Sequence, residues 1–293
     1  MTSVPARRLL LVHAHPDDET LTTGGTMAHY AADPDTAVTL VTCTLGEQGE
    51  VIPPELALLA PEHADQLGGY RVGELTAACS ALGVRDHRYL GGAGRWRDSG
   101  MALAGHGVRA ALPEVLHPRA FAAPAAFAEQ VDALAAVLDE VRPQVVVSYG
   151  SDGGYGHPDH VRAHDITLAA VARAPGVRKR YATALGRAAL EAGLAALGGA
   201  DGLPFRLPAA DELPSTPEAE ITTRIDVRYH RDVRIAAMRA HATQIALHVD
   251  ADPVAFAMSN RVAQPLLDVE EFVLVEGGPA ADRETDLFAG IAS

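Results

Sequence analysis

Three runs of aliphatic and β-branched residues constrain this chain most: residues 9–15 (LLLVHAH), 37–44 (AVTLVTCT) and 144–149 (QVVVSY). None alternates apolar with polar residues. Each must therefore be covered on both faces, as a strand inside a parallel sheet is. Segments with helical spacing separate them. One follows Asp18 through Met27, Ala28 and Tyr30 to the break at 33–35, and a second covers 70–82 and is closed by Gly83. Further helices are predicted over 125–141, with Pro143 just beyond, and over 160–174. Residues 86–90 supply another strand. Three stretches are predicted as loops: 46–69, 91–100 (GGAGRWRDSG) and the glycine-rich 150–156 (GSDGGYG). This alternation predicts an α/β fold, Rossmann-like, with a mostly parallel sheet and helices on both faces. Ligands of such sheets lie beyond the carboxyl ends of the strands. The residues following 9–12 and 144–149 are thus the first place to look for chemistry.

Beyond residue 185 the pattern loosens. A helix near 188–197, strands at 222–227 and 271–276, and a helix from 229 to about 243 predict a small C-terminal αβ appendix. The expected division is a catalytic unit, 1–185, and a second unit, 186–293, that completes the substrate cleft. A net charge of −14 gives no diffuse attraction to nucleic acid or anionic lipid. No apolar run is long enough to span a bilayer, and the one after Arg7 and Arg8 is too short for a secretory signal. Cys43 and Cys79 are too few for a disulfide framework. The expectation is a cytoplasmic protein with a small-molecule substrate, and with neither nucleic acid nor membrane as partner.

The first chemical constellation is His15-Pro16-Asp17-Asp18-Glu19, at the end of the first strand. An imidazole and a carboxylate are typical ligands for a borderline metal such as zinc. Adjacent acids divide the labour: one can bind the cation while the next points at the water that the cation activates. The competing use of either aspartate is to cap the following helix. The second constellation is Gly153-Gly154-Tyr155-Gly156-His157-Pro158-Asp159-His160. Pro158 suits the first turn of a helix, and His157 and His160 are placed to face the strand ends. Alone, this pair could equally be capping or solvated histidines. Two such His-Pro-Asp turns, each after a core strand, argue against coincidence and favour a shared metal site. His13 is assigned to the core or to support of the site, and His164 to an ordinary helix position. His63, His87 and His106 are assigned to the surface.

These residues resemble the PIG-L/LmbE-like family of zinc-dependent N-acetylglucosaminyl deacetylases. The resemblance extends to the branch acting on N-acetylglucosaminyl-inositol in mycothiol biosynthesis. Residues 41–51 (VTCTLGEQGEV), 63–75 (HADQLGGYRVGEL), 89–101 (YLGGAGRWRDSGM) and 240–244 (AHATQ) also carry it. It implies that His15, Asp18 and His160 hold Zn2+, and that Asp17 is the general base and later acid. His157 would polarise the substrate carbonyl, with Asp159 orienting it, and Tyr155 would assist at the tetrahedral intermediate. Arg71, Asp98 and Glu50 would contact sugar or inositol hydroxyls. The chain departs from the family's pattern over 102–121 and at Gly150-Ser151-Asp152, where an Asp-Pro entry to the glycine loop is usual.

Two histidines and a carboxylate also describe non-haem iron oxygenases, and the ligand set leaves Fe2+ open as an occupant in cells. The free acid beside the ligands favours hydrolysis. A mycothiol S-conjugate amidase would use the same metal chemistry. Residues 22–26 (TTGGT) lack the lysine associated with that relative, which favours the deacetylase. Retention of Asp17 argues against a non-catalytic sugar-binding protein. Gly24 and Gly25 come too late after the strand for a dinucleotide fingerprint.

Overall fold

The computed structural model describes residues 6–103, 110–279 and 281–291, so His106 lies outside the described residues. The chain opens with β1 (Arg7–His13), α1 (Asp18–Ala31), β2 (Thr36–Thr42), α2 (Leu67–Leu82) and β3 (Asp86–Tyr89). A two-strand ladder follows, β4 (Ala102–Leu103) with β5 (Ala110–Ala111), and then α3 (Phe127–Val141) and β6 (Val145–Ser148). Next come α4 (Gly153–Gly156), α5 (Pro158–Val171), β7 (Lys179–Ala184) and α6 (Arg187–Gly198). The chain ends with β8 (Thr223–Asp226), α7 (Arg231–Ala240), β9 (Ala246–His248), β10 (Ala255–Ala257), β11 (Gln264–Pro265) and β12 (Val269–Glu276).

The main sheet runs β3-β2-β1-β6-β7-β12-β8. Its first five strands are parallel, while β12 is antiparallel to both β7 and β8. From β1 the chain first builds outward through β2 and β3, then returns to add β6 and β7 on the other side. The crevice between β1 and β6 is therefore the topological switch point, where α/β sheets bind ligands. Because side chains alternate across a strand, β1 feeds two cores. Leu9 and Leu11 pack with Met27 and Tyr30 of α1 and Leu75 and Leu82 of α2. Leu10 and Val12 pack with Val131, Leu134 and Leu138 of α3 and Ile166 of α5. Both faces are covered, as the unbroken apolar runs require.

Several boundaries differ from those predicted. α2 starts at Leu67 instead of Tyr70, and a 3-10 turn occupies Pro54–Leu59 within the expected loop. Gly68 and Gly69 suggest loop, but a Cβ on Gly68 would stand 2.6 Å from Glu47 Cγ, so close packing explains the first glycine. The glycine-rich 150–156 stretch is not purely loop, since it closes into the helical turn α4, whose Gly154 N–H donates to Asp152 Oδ1 at 2.9 Å. β7 was not predicted. Its Lys179 and Arg180 look unsuited to a central strand, yet both are buried against Glu284 and Glu276. In the tail, β8 and β12 join the main sheet, while β9, β10 and β11 form a small antiparallel sheet of their own. Among the described residues no helix is long and apolar enough to cross a membrane.

Candidate metal centre

The acidic turn leaves β1 at the switch point. Ala14 N–H donates to Tyr149 Oη at 2.9 Å, and Tyr149 O–H donates to Asp18 Oδ2 at 2.7 Å. The same carboxylate oxygen accepts the His15 backbone N–H at 2.8 Å. Asp17 occupies the N-cap position with φ 114° and ψ −34°, and its side chain makes no capping bond. The helix-capping alternative for Asp17 is thereby set aside. A non-glycine residue at such a φ carries strain of ~1–3 kcal/mol and needs firm surroundings. They are present: Asp17 N–H donates to Glu19 Oε2 at 2.8 Å, and Arg71 Nη2 lies 2.9 Å from Asp17 Oδ2.

The second turn leaves β6. His157 caps α5, its Nδ1 accepting Asp159 N–H at 3.2 Å. His160 Nδ1 lies 3.1 Å from the Gly153 carbonyl, which makes it the protonated nitrogen and leaves Nε2 with a lone pair. Tyr149 stacks on the His160 ring at 4.2 Å, and the half-buried Tyr155 meets it edge-on at 5.1 Å. The two turns converge: ring centroids of His15 lie 4.6 Å from His157 and 5.3 Å from His160. Asp18 stands between the expected ligands, Oδ2 3.2 Å from His15 Nδ1 and Oδ1 3.3 Å from His160 Nε2.

Other expected residues sit differently. Asp159 meets the His157 ring through its backbone N–H, while its carboxylate turns elsewhere: Oδ2 lies 3.3 Å from His15 Nε2 and accepts the Ser99 N–H at 2.9 Å. Asp98 is on the same side of His15, 3.5 Å from Nε2, and accepts the Gln48 and Gly100 amides. Arg71 is 2% exposed and donates to the Gly46 and Pro16 carbonyls as well as facing Asp17, so it braces the turn from behind. Glu50 alone of the three expected substrate contacts is exposed. His13 is fully buried with Nε2 2.9 Å from Thr23 Oγ1, and His164 Nδ1 lies 2.9 Å from the Tyr149 carbonyl. His63 is exposed, whereas His87 is half-buried against Thr42 and so is not a surface residue. Tyr149, Ser99, Glu19 and His241 were not predicted. Their roles depend on partners far along the chain, which residue type and local spacing do not reveal.

Charge is unevenly distributed here. Burial alone would lower His15, but Asp98, Asp159 and Asp18 crowd it and hold it well above the usual imidazole range. Burial would raise Asp18, yet the adjacent His160 and His15 hold it well below the carboxylate norm. Asp17 behaves oppositely. Its burial outweighs the attraction of Arg71, and with Asp18 beside it the carboxyl is pushed up to about 6. Burial, together with His15 and His160, pushes His157 down to about 2, so it is neutral at physiological pH.

The residues fit a cation. His160 Nε2 is buried with no hydrogen-bond partner, and it points toward a carboxylate oxygen. Donor atoms of His15, His157 and His160 lie within 4.8 Å of one another, so His157 can also approach the centre. Nitrogen and oxygen donors in this mixture suit zinc or another borderline divalent ion. Around His15, Asp98 and Asp159 form the outer carboxylates that commonly orient a ligating imidazole.

A model of the PIG-L family, described as GlcNAc-PI de-N-acetylase, matches residues 10–171, more than half of the chain and both His-Pro-Asp turns. The chain belongs to the PIG-L family. It is similar over nearly its whole length to curated relatives. One, from Saccharopolyspora erythraea, is named 1D-myo-inositol 2-acetamido-2-deoxy-alpha-D-glucopyranoside deacetylase 1. It is 54% identical over 99% of this chain and 96% of its own length. A second, from Saccharomonospora viridis, bears the same deacetylase name without the numeral, and is 55% identical over 97% of this chain and 100% of its own. Among solved structures, a teicoplanin deacetylase in a zinc-inhibited form superposes with TM-score 0.53 at 22% identity. That match covers 92% of this chain and 100% of the other, and speaks for the fold alone.

Proposed function

We propose that this PIG-L family chain is a cytoplasmic, metal-dependent N-deacetylase. Its substrate would be the N-acetylglucosaminyl-inositol specified in the names of its curated relatives, at the deacetylation step of mycothiol biosynthesis. The products are acetate and the free amino sugar. The observation that carries this reading is Asp17: a strained, buried carboxyl held at about 6 beside a convergent imidazole and carboxylate set. A base near the working pH is what amide hydrolysis needs.

His15, Asp18 and His160 are assigned to hold the ion, Zn2+ in the first instance and Fe2+ as the other candidate. Bound there, a divalent cation would supply Lewis acidity toward the amide carbonyl and make a water acidic enough to attack near neutral pH. Asp17 takes the proton from the attacking water and delivers it to the departing amine nitrogen. Addition at the carbonyl carbon and cleavage of the C–N bond are thereby balanced with a single shuttled proton. His157 donates to the oxygen that gains negative charge. Its Nδ1 already accepts the Asp159 amide, so the neutral ring carries its proton on Nε2. Such a donor is worth roughly 10²–10³ in rate. Tyr155, beside both rings, is assigned as a second donor to that oxygen. Asp159 and Asp98 hold His15, Arg71 holds Asp17, and Glu50 at the rim is assigned to sugar or inositol hydroxyls.

The test couples metal analysis to acetate release from N-acetylglucosaminyl-inositol, with and without a chelator. We expect turnover to vanish on chelation and return with zinc. Asp17→Asn should retain the ion and lose about 10²–10⁴ in turnover. A metal-stripped protein that remains fully active, or an Asp17→Asn variant with parent rates, would refute the proposal.

A further inference from the structure

The segment 240–244 lies far along the chain from both histidine turns but ends up beneath them. α7 stops at Ala240, and the chain turns through His241, Thr243 and Gln244, all buried. His241 Nε2 lies 2.8 Å from Glu19 Oε1, with both side chains fully enclosed. The other oxygen of Glu19 accepts the Asp17 N–H at 2.8 Å. The same turn reaches two further elements of the site. Thr243 N–H and O–H donate to the Glu74 carboxylate of α2 at 2.9 and 2.7 Å. The Thr243 carbonyl accepts Ile52 N–H at 2.9 Å, and Gln244 Nε2 donates to the Glu50 carbonyl at 3.2 Å.

A buried ion pair of this kind is poor evidence for stability, since apolar replacements of similar volume are often neutral. Its placement is more informative. Glu19 grips the backbone N–H of the one residue in the turn whose φ is 114°. Arg71 tethers the Asp17 carboxylate, so side chain and backbone are held by separate partners. Released at the backbone, the peptide can relax to negative φ, and the carboxylate swings away from its direction.

We infer that His241 is a positioning residue: acting through Glu19, it fixes the Asp17 amide and with it the aim of the Asp17 carboxylate. This rests on the role proposed above for Asp17. The test uses the full chain loaded with zinc, and three variants. His241→Leu removes the donor, His241→Gln restores one at about the same reach, and the double variant Glu19→Leu/His241→Leu removes the pair without stranding a buried charge. For both leucine variants kcat falls on the order of 100-fold, the cost of a catalytic group displaced by about an ångström. KM and zinc content stay at parent values, and His241→Gln recovers most of the rate. If the single leucine variant does not fold, the double variant decides.

A second readout needs no substrate. The Asp17 amide, protected from hydrogen exchange in the parent and in His241→Gln, exchanges rapidly in the leucine variants. Parent kcat in the leucine variants, zinc lost in step with activity, or unchanged Asp17 exchange would each overturn the inference. A parent protein that releases no acetate refutes the deacetylase reading instead, and amide exchange still decides the clamp.

Discussion

Gly153 offers a sharp test of how the second turn serves the metal centre. Its φ is +63°, and a Cβ built there would stand 2.8 Å from His160 Cβ and 3.0 Å from the Val161 nitrogen. Gly153→Ala therefore incurs two penalties. The left-handed backbone costs an alanine about 1–2 kcal/mol. The contact must also open toward ~3.5–4.0 Å, an ordinary van der Waals separation, which pushes the first turn of α5 away from α4 by about an ångström. That movement strikes the 3.1 Å bond between His160 Nδ1 and the Gly153 carbonyl, the bond that leaves Nε2 free for an ion. Losing such an orienting contact typically lowers metal affinity about 10–100-fold, or about 1.4–2.8 kcal/mol. Urea unfolding of the metal-free protein measures the first penalty, and competition with a chromophoric chelator measures the second. A variant destabilised as expected, yet binding zinc as tightly as the parent, would show that the Gly153 contact does not orient His160.

Two further outcomes follow from the buried carboxylate and its guanidinium. Arg71→Met strands the Asp17 carboxylate and the Pro16 and Gly46 carbonyls, and should cost roughly 3–5 kcal/mol in urea unfolding; a loss near zero would mean the bracing is dispensable. With Asp17 as the proposed base, active as the carboxylate, and its carboxyl at about 6, kcat/KM should fall about tenfold per pH unit below that value. An activity profile flat through that region would remove the base assignment. The sign for stability is the reverse. With its folded value above its unfolded one, Asp17 binds more proton when folded, so its contribution improves as pH falls through about 6 and fades as pH rises.

What was legible in the sequence depended on how local the cause was. β1, β2 and β6 declared themselves because strands covered on both faces must be apolar throughout. The His-Pro-Asp turns followed from them, since a switch point places ligands at strand ends. β7 stayed hidden because its Lys179 is neutralised by Glu284, a partner that no local window contains. The same distance problem affected the site. The family resemblance makes Arg71 a substrate contact, whereas its guanidinium engages the Gly46 and Pro16 carbonyls and Asp17, partners that no local window contains. The family resemblance pairs Asp159 with His157, and the Asp159 amide does meet that ring. Its carboxylate instead reaches across to His15, which comes from the other turn.

The antiparallel strand β12 lies between β7 and β8, and so covers the outer edge of β7. During synthesis every parallel strand leaves the ribosome before β12 does. Until β12 docks, β7 is bonded to β6 on one side and its outer edge is open to wrong partners. Coverage of that edge by β12 is thus what separates a closed sheet from one prone to edge-to-edge association.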